Sequence, residues 1–109
     1  MDPKRFSQIL DEQIKSCIET LKNKYAEYGR GGDRLSNFKK AGRMKGETPE
    51  KALWGMWVKH LVSVMDIIHD LDEGKLPTKN ILDEKIKNTI NYAILLKALI
   101  IERMEQVSE

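Results

Sequence analysis

In two long segments of this chain, apolar residues recur at steps of three and four around most of a helical surface, and each segment keeps a single narrow polar line. In the first, Leu53, Trp57, His60, Val64, Ile67 and Leu71 make one seam, and Trp54, Val58, Leu61, Val62 and Met65 widen it past half the circle. At about 100° per residue, the polar remainder reduces to Lys59, Ser63, Asp66 and Asp70. In the second, Ile86, Ile90, Ala93, Ile94, Leu96, Leu99, Ile100 and Ile101 spread around the helix and leave Glu84, Asn88 and Asn91, with Tyr92 beside them. Such spacing stacks each line on one helix face. A helix on the outside of a bundle normally shows a broad charged face. These two helices are therefore expected to be central or to be covered by another copy of the chain. Each polar line has to meet water, a partner or a ligand.

The rest of the chain reads as helix and short connections. Asp2 suits an N-cap and Pro3 the first turn. Phe6, Ile9, Leu10, Ile14, Cys17, Ile18, Leu21 and Tyr25 then mark an amphipathic helix over about 4–27, stopped by Gly29, Gly31 and Gly32. Residues 28–34 form a loop, and Leu35, Phe38 and Ala41 suggest a short helix to about 43. Gly42, Gly46 and Pro49 bracket a second loop. Thr48 as N-cap, Pro49 at the first position and Glu50 at the positive end open the helix over about 49–72. Gly74 and Pro77 end it, and Thr78 or a residue near Asn80 opens the last helix, which runs to about 105. Nothing alternates like a strand, and there is no repeat or low-complexity tract. The expectation is one all-α domain over 1–109, a small bundle of three main helices plus one short helix. Short connections favour antiparallel neighbours, and the wide apolar arc favours a homo-oligomer.

Charge excludes little. Basic and acidic residues nearly balance, 19 against 17, and a net charge of +2 does not by itself imply nucleic-acid binding. Arg30, Arg34, Lys39, Lys40, Arg43 and Lys45 do cluster, interrupted only by Asp33, and that stretch can attract phosphate. Its glycines form neither a P-loop nor a dinucleotide-binding fingerprint. Cys17 is the single cysteine, so no internal disulfide forms. It fits a reducing compartment, as a small buried hydrophobe. Met1-Asp2-Pro3-Lys4 offers no apolar leader, and no apolar run reaches the roughly 18 residues of a membrane span. A soluble cytoplasmic protein is expected.

The polar lines carry the functional reading. They admit a plain explanation as solvated faces with Lys59 and Asp66 paired to other charges. His60 on the apolar seam reads more readily as a core histidine than as a ligand. Met44, Met56, Met65, Trp54 and Trp57 read as core or interface fillers. Asn88 and Asn91 argue the other way. Asparagine is a poor mid-helix residue because its amide competes with the backbone, so two of them in one helix suggest a hydrogen-bonding task. If the two helices pack antiparallel, the lines could meet around a pocket of one ammonium, carboxylates, two amides and a phenol.

Several phrases of the chain form a recognisable set: Tyr28-Gly29, then Asp33-Arg34-Leu35-Ser36-Asn37-Phe38-Lys39; Thr48-Pro49-Glu50 with Ala52-Leu53-Trp54-Gly55-Met56; Lys59-His60-Leu61-Val62-Ser63 with Asp66; and Glu84-Lys85-Ile86 leading to Ile90-Asn91-Tyr92. Over about residues 25–103 the set resembles the nucleotide modification associated domains, small helical proteins common in phage genomes. More loosely it resembles the all-helical MazG-like nucleotide pyrophosphohydrolases. Those enzymes hold Mg²⁺ with paired carboxylates on two helices, and the metal binds triphosphate oxygens and activates water. Here Asp66 and Asp70 are offered by one helix and Glu84 by the other, but Lys87 and Asn88 stand where the second pair should be completed.

The resemblance and the residues together imply a binder of a nucleotide or nucleotide-derived signal, leaning away from catalysis and needing no cofactor. In a phage setting it would sequester a host defence messenger in the host cytoplasm, such as a cyclic oligonucleotide or an adenosine-diphosphate-ribose derivative. Candidate ligand-binding residues are Tyr28, Arg34, Asn37, Lys39, Lys59, His60, Ser63, Asp66, Glu84, Asn88, Asn91 and Tyr92. Two alternatives stay open: a Mg²⁺-dependent pyrophosphohydrolase using Asp66, Asp70 and Glu84, and a nucleic-acid-associated module using Arg30 to Lys45. Expected partners are a nucleotide-like small molecule and further copies of the chain, with no membrane.

Overall fold

The computed structural model describes residues 1–28 and 32–108, except for the side chains of 24–28 and 108. Tyr25 and Tyr28 as side chains, and Gly29, Arg30 and Gly31 altogether, lie outside the described residues. Four helices follow one another: α1 (Pro3–Tyr28), α2 (Ser36–Lys45), α3 (Pro49–Asp72) and α4 (Lys79–Ser108). Three are long and one is short, and no strand occurs among the described residues.

Local chemistry sets the boundaries. Asp2 caps α1, its Oδ1 accepting from the Arg5 amide at 2.7 Å. The Asp33 carboxylate accepts from the Leu35 amide at 2.9 Å and leads the chain into α2. α2 ends on Gly46 at φ 68°, where the Gly46 amide bonds back to Arg43 and the Glu47 amide to Gly42. That is a Schellman closure, and it uses the left-handed conformation glycine tolerates. The same closure recurs at Gly74, with Gly74 bonding Leu71 and Lys75 bonding Asp70. Thr48 caps α3 through its hydroxyl, ahead of Pro49. Thr78 caps α4, accepting from the Ile81 amide at 3.3 Å, so this helix opens at Thr78 and not near Asn80. It also runs past 105, to Ser108.

Helices α2 and α4 both pack on α3, and α1 packs on α4. Leu53 with Leu99, and Glu50 with Arg103, pair the start of α3 with the end of α4, so these two helices are antiparallel. Arg103 grips Glu50 with two bonds, 2.9 and 2.7 Å. α1 departs from the antiparallel expectation. Glu12 meets Lys79 and Cys17 meets Asn91, so α1 runs parallel to α4. The core is small: Leu35, Phe38, Leu53 and Leu99, with Met56, Trp57, Tyr92, Leu95, Leu96 and Ala98 packed around it. Cys17 is buried, as expected of a small hydrophobe. The apolar stripe that marked α1 as amphipathic is mostly in water: Phe6, Ile9, Leu10, Ile14 and Ile18 are exposed. On α3, Trp54, Val62, Met65, Ile68 and Leu71 are exposed as well. No described helix is long and apolar enough to cross a membrane.

Candidate functional site

All four helical regions line one cavity of about 360 Å³. α1 supplies Thr20 and Leu21, the turn into α2 supplies Arg34, and α2 itself supplies Asn37 and Phe38. Met56 and His60 come from α3, and Asn88, Asn91, Tyr92 and Leu95 from α4. The volume falls in the range of small-molecule sites. Among the described residues its lining combines apolar walls with a few hydrogen-bonding groups and one cation, and no carboxylate is among them.

The aromatic part is built on Tyr92. The His60 ring lies 4.9 Å from the Tyr92 ring, tilted by 31°, and Phe38 meets Tyr92 edge-on at 6.4 Å. Burial lowers the His60 pKa below its ordinary value. The positive Lys85 adds to this, and Glu84 partly opposes it. At neutral pH His60 therefore offers the cavity one donor and one acceptor rather than a charge.

The amide part comes from α4. Asn91 is only 5% exposed; its Nδ2 donates to the Cys17 carbonyl of α1 at 3.5 Å, and its Oδ1 has no donor. Asn88, one turn before Tyr92, is half-buried. At the α2 side, no hydrogen bond or ion pair joins the half-buried Arg34 guanidinium to another described residue. Arg34 thus stands on the wall as a planar cation with no partner among the described residues.

Six candidates from the sequence converge here: Arg34, Asn37, His60, Asn88, Asn91 and Tyr92. The expected meeting of the two polar lines does not take place. Lys59, Ser63 and Asp66 of α3, and Glu84 of α4, are not in the lining. Lys59 and Asp66 are exposed, and the Ser63 hydroxyl donates to the Lys59 carbonyl of its own helix at 3.2 Å. The reason is electrostatic. A charged line keeps its hydration by turning to solvent, whereas neutral amides tolerate burial once hydrogen-bonded. Lys39 is also elsewhere, held by Asp33 at 2.6 Å and Glu102 at 2.5 Å. Those hydrogen bonds, Asp33 first, raise its pKa and commit it to an ion pair. Tyr28 as a side chain lies outside the described residues.

The residues present do not assemble a Mg²⁺ site. Among the described residues no group of three or more His, Cys, Asp and Glu side chains is placed to hold a metal ion, so Asp66, Asp70 and Glu84 do not converge. Sequence reasoning missed Thr20, Leu21, Phe38, Met56 and Leu95 as wall residues, and the Cys17 carbonyl as a partner. Thr20 gave one faint signal, a small polar residue three positions after the buried Cys17. Comparison of the chain with protein-family models, with curated proteins and with solved structures yields no match in any of the three.

Proposed function

We propose that this protein binds a nucleotide or nucleotide-derived signal and leaves it chemically unchanged. One observation carries the reading: four helical regions bring three asparagines, a neutral histidine, a tyrosine and an arginine to one cavity, with no carboxylate among its described lining residues. Asparagine offers both donor and acceptor to a base or ribose edge, aromatic rings suit stacking on a base, and a guanidinium forks onto phosphate oxygens. General-base or metal-assisted hydrolysis would need charged oxygen ligands beside the bound phosphate, and the described residues of this wall supply none. The resemblance to phage nucleotide modification associated domains supports the same reading. It extends the proposal to a phage protein that sequesters a defence messenger in the host cytoplasm.

We propose further that the working form is a homo-oligomer, because exposed apolar residues of α1 and α3 invite cover by another copy. The test of the binding reading is mass spectrometry of small molecules released when the purified, ligand-exposed protein is heat-denatured. An intact nucleotide-like mass, recovered in stoichiometric amount, is the expected result. Recovery of only hydrolysed products would favour the pyrophosphohydrolase.

A further inference from the structure

The cavity wall contains one group whose orientation is fixed from behind. The Asn91 carboxamide donates one Nδ2 hydrogen to the Cys17 carbonyl of α1. Flipping the amide would set its oxygen against that carbonyl, two acceptors face to face, and would forfeit the bond. Helix α1 therefore determines which end of Asn91 is left over, and that end is the acceptor Oδ1. This oxygen is closed to water and has no donor among the described residues. Buried acceptors are normally paired, and an unpaired one calls for an explanation. The other buried orphan, the Trp57 indole N–H, belongs to a residue packed on the core and outside the cavity lining.

The surroundings restrict what supplies the donor. The His60, Tyr92 and Phe38 rings share the cavity wall with Asn91, His60 tilted by 31° against Tyr92 and Phe38 edge-on to it. A base held against this aromatic cluster would lie within the same cavity as Asn91. The Cys17 bond, at 3.5 Å, is at the long limit of hydrogen bonding, so small shifts of the carboxamide toward an incoming donor are compatible with the orientation it sets. An asparagine with both ends free reads a donor and an acceptor on adenine together. Here one Nδ2 hydrogen is engaged by Cys17, and Oδ1 is the atom left wholly without a partner among the described residues, so the unmet demand is for a donor. An exocyclic amine offers N–H groups and no acceptor that would itself need a partner. A carbonyl at the same position would oppose Oδ1 with a second acceptor.

We propose that Asn91 is a specificity residue that reads an exocyclic amine of a nucleobase, so that the site selects amino bases over bases bearing a carbonyl or a hydrogen there. This deepens the nucleotide-binding reading and rests on it. The test uses adenosine 5′-monophosphate, purine riboside 5′-monophosphate, which lacks only the amine, and inosine 5′-monophosphate. Each is titrated calorimetrically into the wild-type chain and into Asn91→Leu, with circular dichroism to verify folding. The wild type is expected to bind the amine-bearing nucleotide about tenfold or more tightly than either analogue. In folded Asn91→Leu that ratio is expected to fall close to one. Equal wild-type affinities for all three would overturn the amine reading and leave nucleotide binding standing. A ratio preserved in folded Asn91→Leu would also overturn it, since the amine would then be read elsewhere. No binding of any of the three overturns both readings. If Asn91→Leu does not fold, the wild-type comparison decides alone.

Discussion

At the scale of the residue, the structure separates two cations that the sequence left equivalent. Arg34 is half-buried, on the cavity wall and without a partner among the described residues, whereas Lys59 is exposed and outside the wall. A guanidinium in hydrogen-bonded contact with an anion contributes roughly 1.5–3 kcal/mol. Arg34→Ala is therefore expected to weaken binding of an anionic nucleotide by at least about tenfold, while Lys59→Ala stays within about twofold, both read by calorimetric titration. Equal effects of the two changes would place the phosphate elsewhere. His60 makes a second prediction. Burial lowers its pKa in the folded protein, so the unfolded chain takes up a proton more readily. Stability is then unaffected by this group well above its ordinary pKa of about 6.5, and declines as the pH falls below that value through the folded pKa. Urea midpoints of wild type and His60→Gln, measured between pH 7.5 and 5.5, should diverge toward the acid end, with the wild type losing more. Parallel curves would mean that the imidazole is as well solvated folded as unfolded.

At the scale of the element, caps and glycines were the most legible features. Thr48-Pro49-Glu50 marked the start of α3, and Gly46 and Gly74 close helices in the left-handed conformation. Such signals act within one or two turns, so a local reading captures them. Gly42 shows a constraint that is not local in the same sense. A Cβ there would lie 2.7 Å from the Glu47 carbonyl oxygen, because the α2–α3 turn folds back onto the helix. Gly55 in α3 has open space around its Cβ position. Gly42→Ala should therefore destabilise the protein by about 1–3 kcal/mol, while Gly55→Ala should stabilise it by about 0.5–1 kcal/mol through helix propensity. Thermal denaturation of the two variants is expected to shift in opposite directions.

The polar lines were legible as lines but not in their destination. Asn88 and Asn91 announced themselves by standing mid-helix, yet which α3 residues they would face depends on the rotation of α3 against α4. Periodicity alone does not fix that rotation when an apolar arc exceeds half the circle, as it does in α3. The role of α1 was hidden for a related reason. Its apolar residues gave the right period, but among the described residues of that stripe only Cys17 is fully buried, and its parallel run along α4 is set by contacts distant in sequence, such as Asn91 with Cys17.

At the scale of the whole molecule, the single chain is long and thinly cored. Its dimensions are 49 × 29 × 26 Å and its radius of gyration is 16.5 Å, against roughly 13 Å for a compact domain of about this length. Exposed apolar residues on α1, Phe6, Leu10 and Ile14, and on α3, Trp54, Met65 and Ile68, leave continuous faces in water. Those faces account for the proposed self-association. Light scattering at tens of micromolar is expected to return a multiple of 12.6 kDa, and Trp54→Glu with Ile14→Glu to shift it toward the single chain. A wild-type monomer at that concentration would contradict the oligomer.

The central claim is that the four-helix cavity holds a nucleotide without transforming it. The most direct measurement incubates the wild-type chain with a panel of nucleotides in Mg²⁺ or Mn²⁺. It follows binding and chemical fate together, beside Asn88→Leu, which removes an amide from the cavity wall, and Glu84→Gln, which alters a carboxylate outside it. The account predicts saturable binding of at least one nucleotide, recovered intact, weakened in Asn88→Leu and unchanged in Glu84→Gln. Steady metal-dependent turnover that Glu84→Gln abolishes would contradict it.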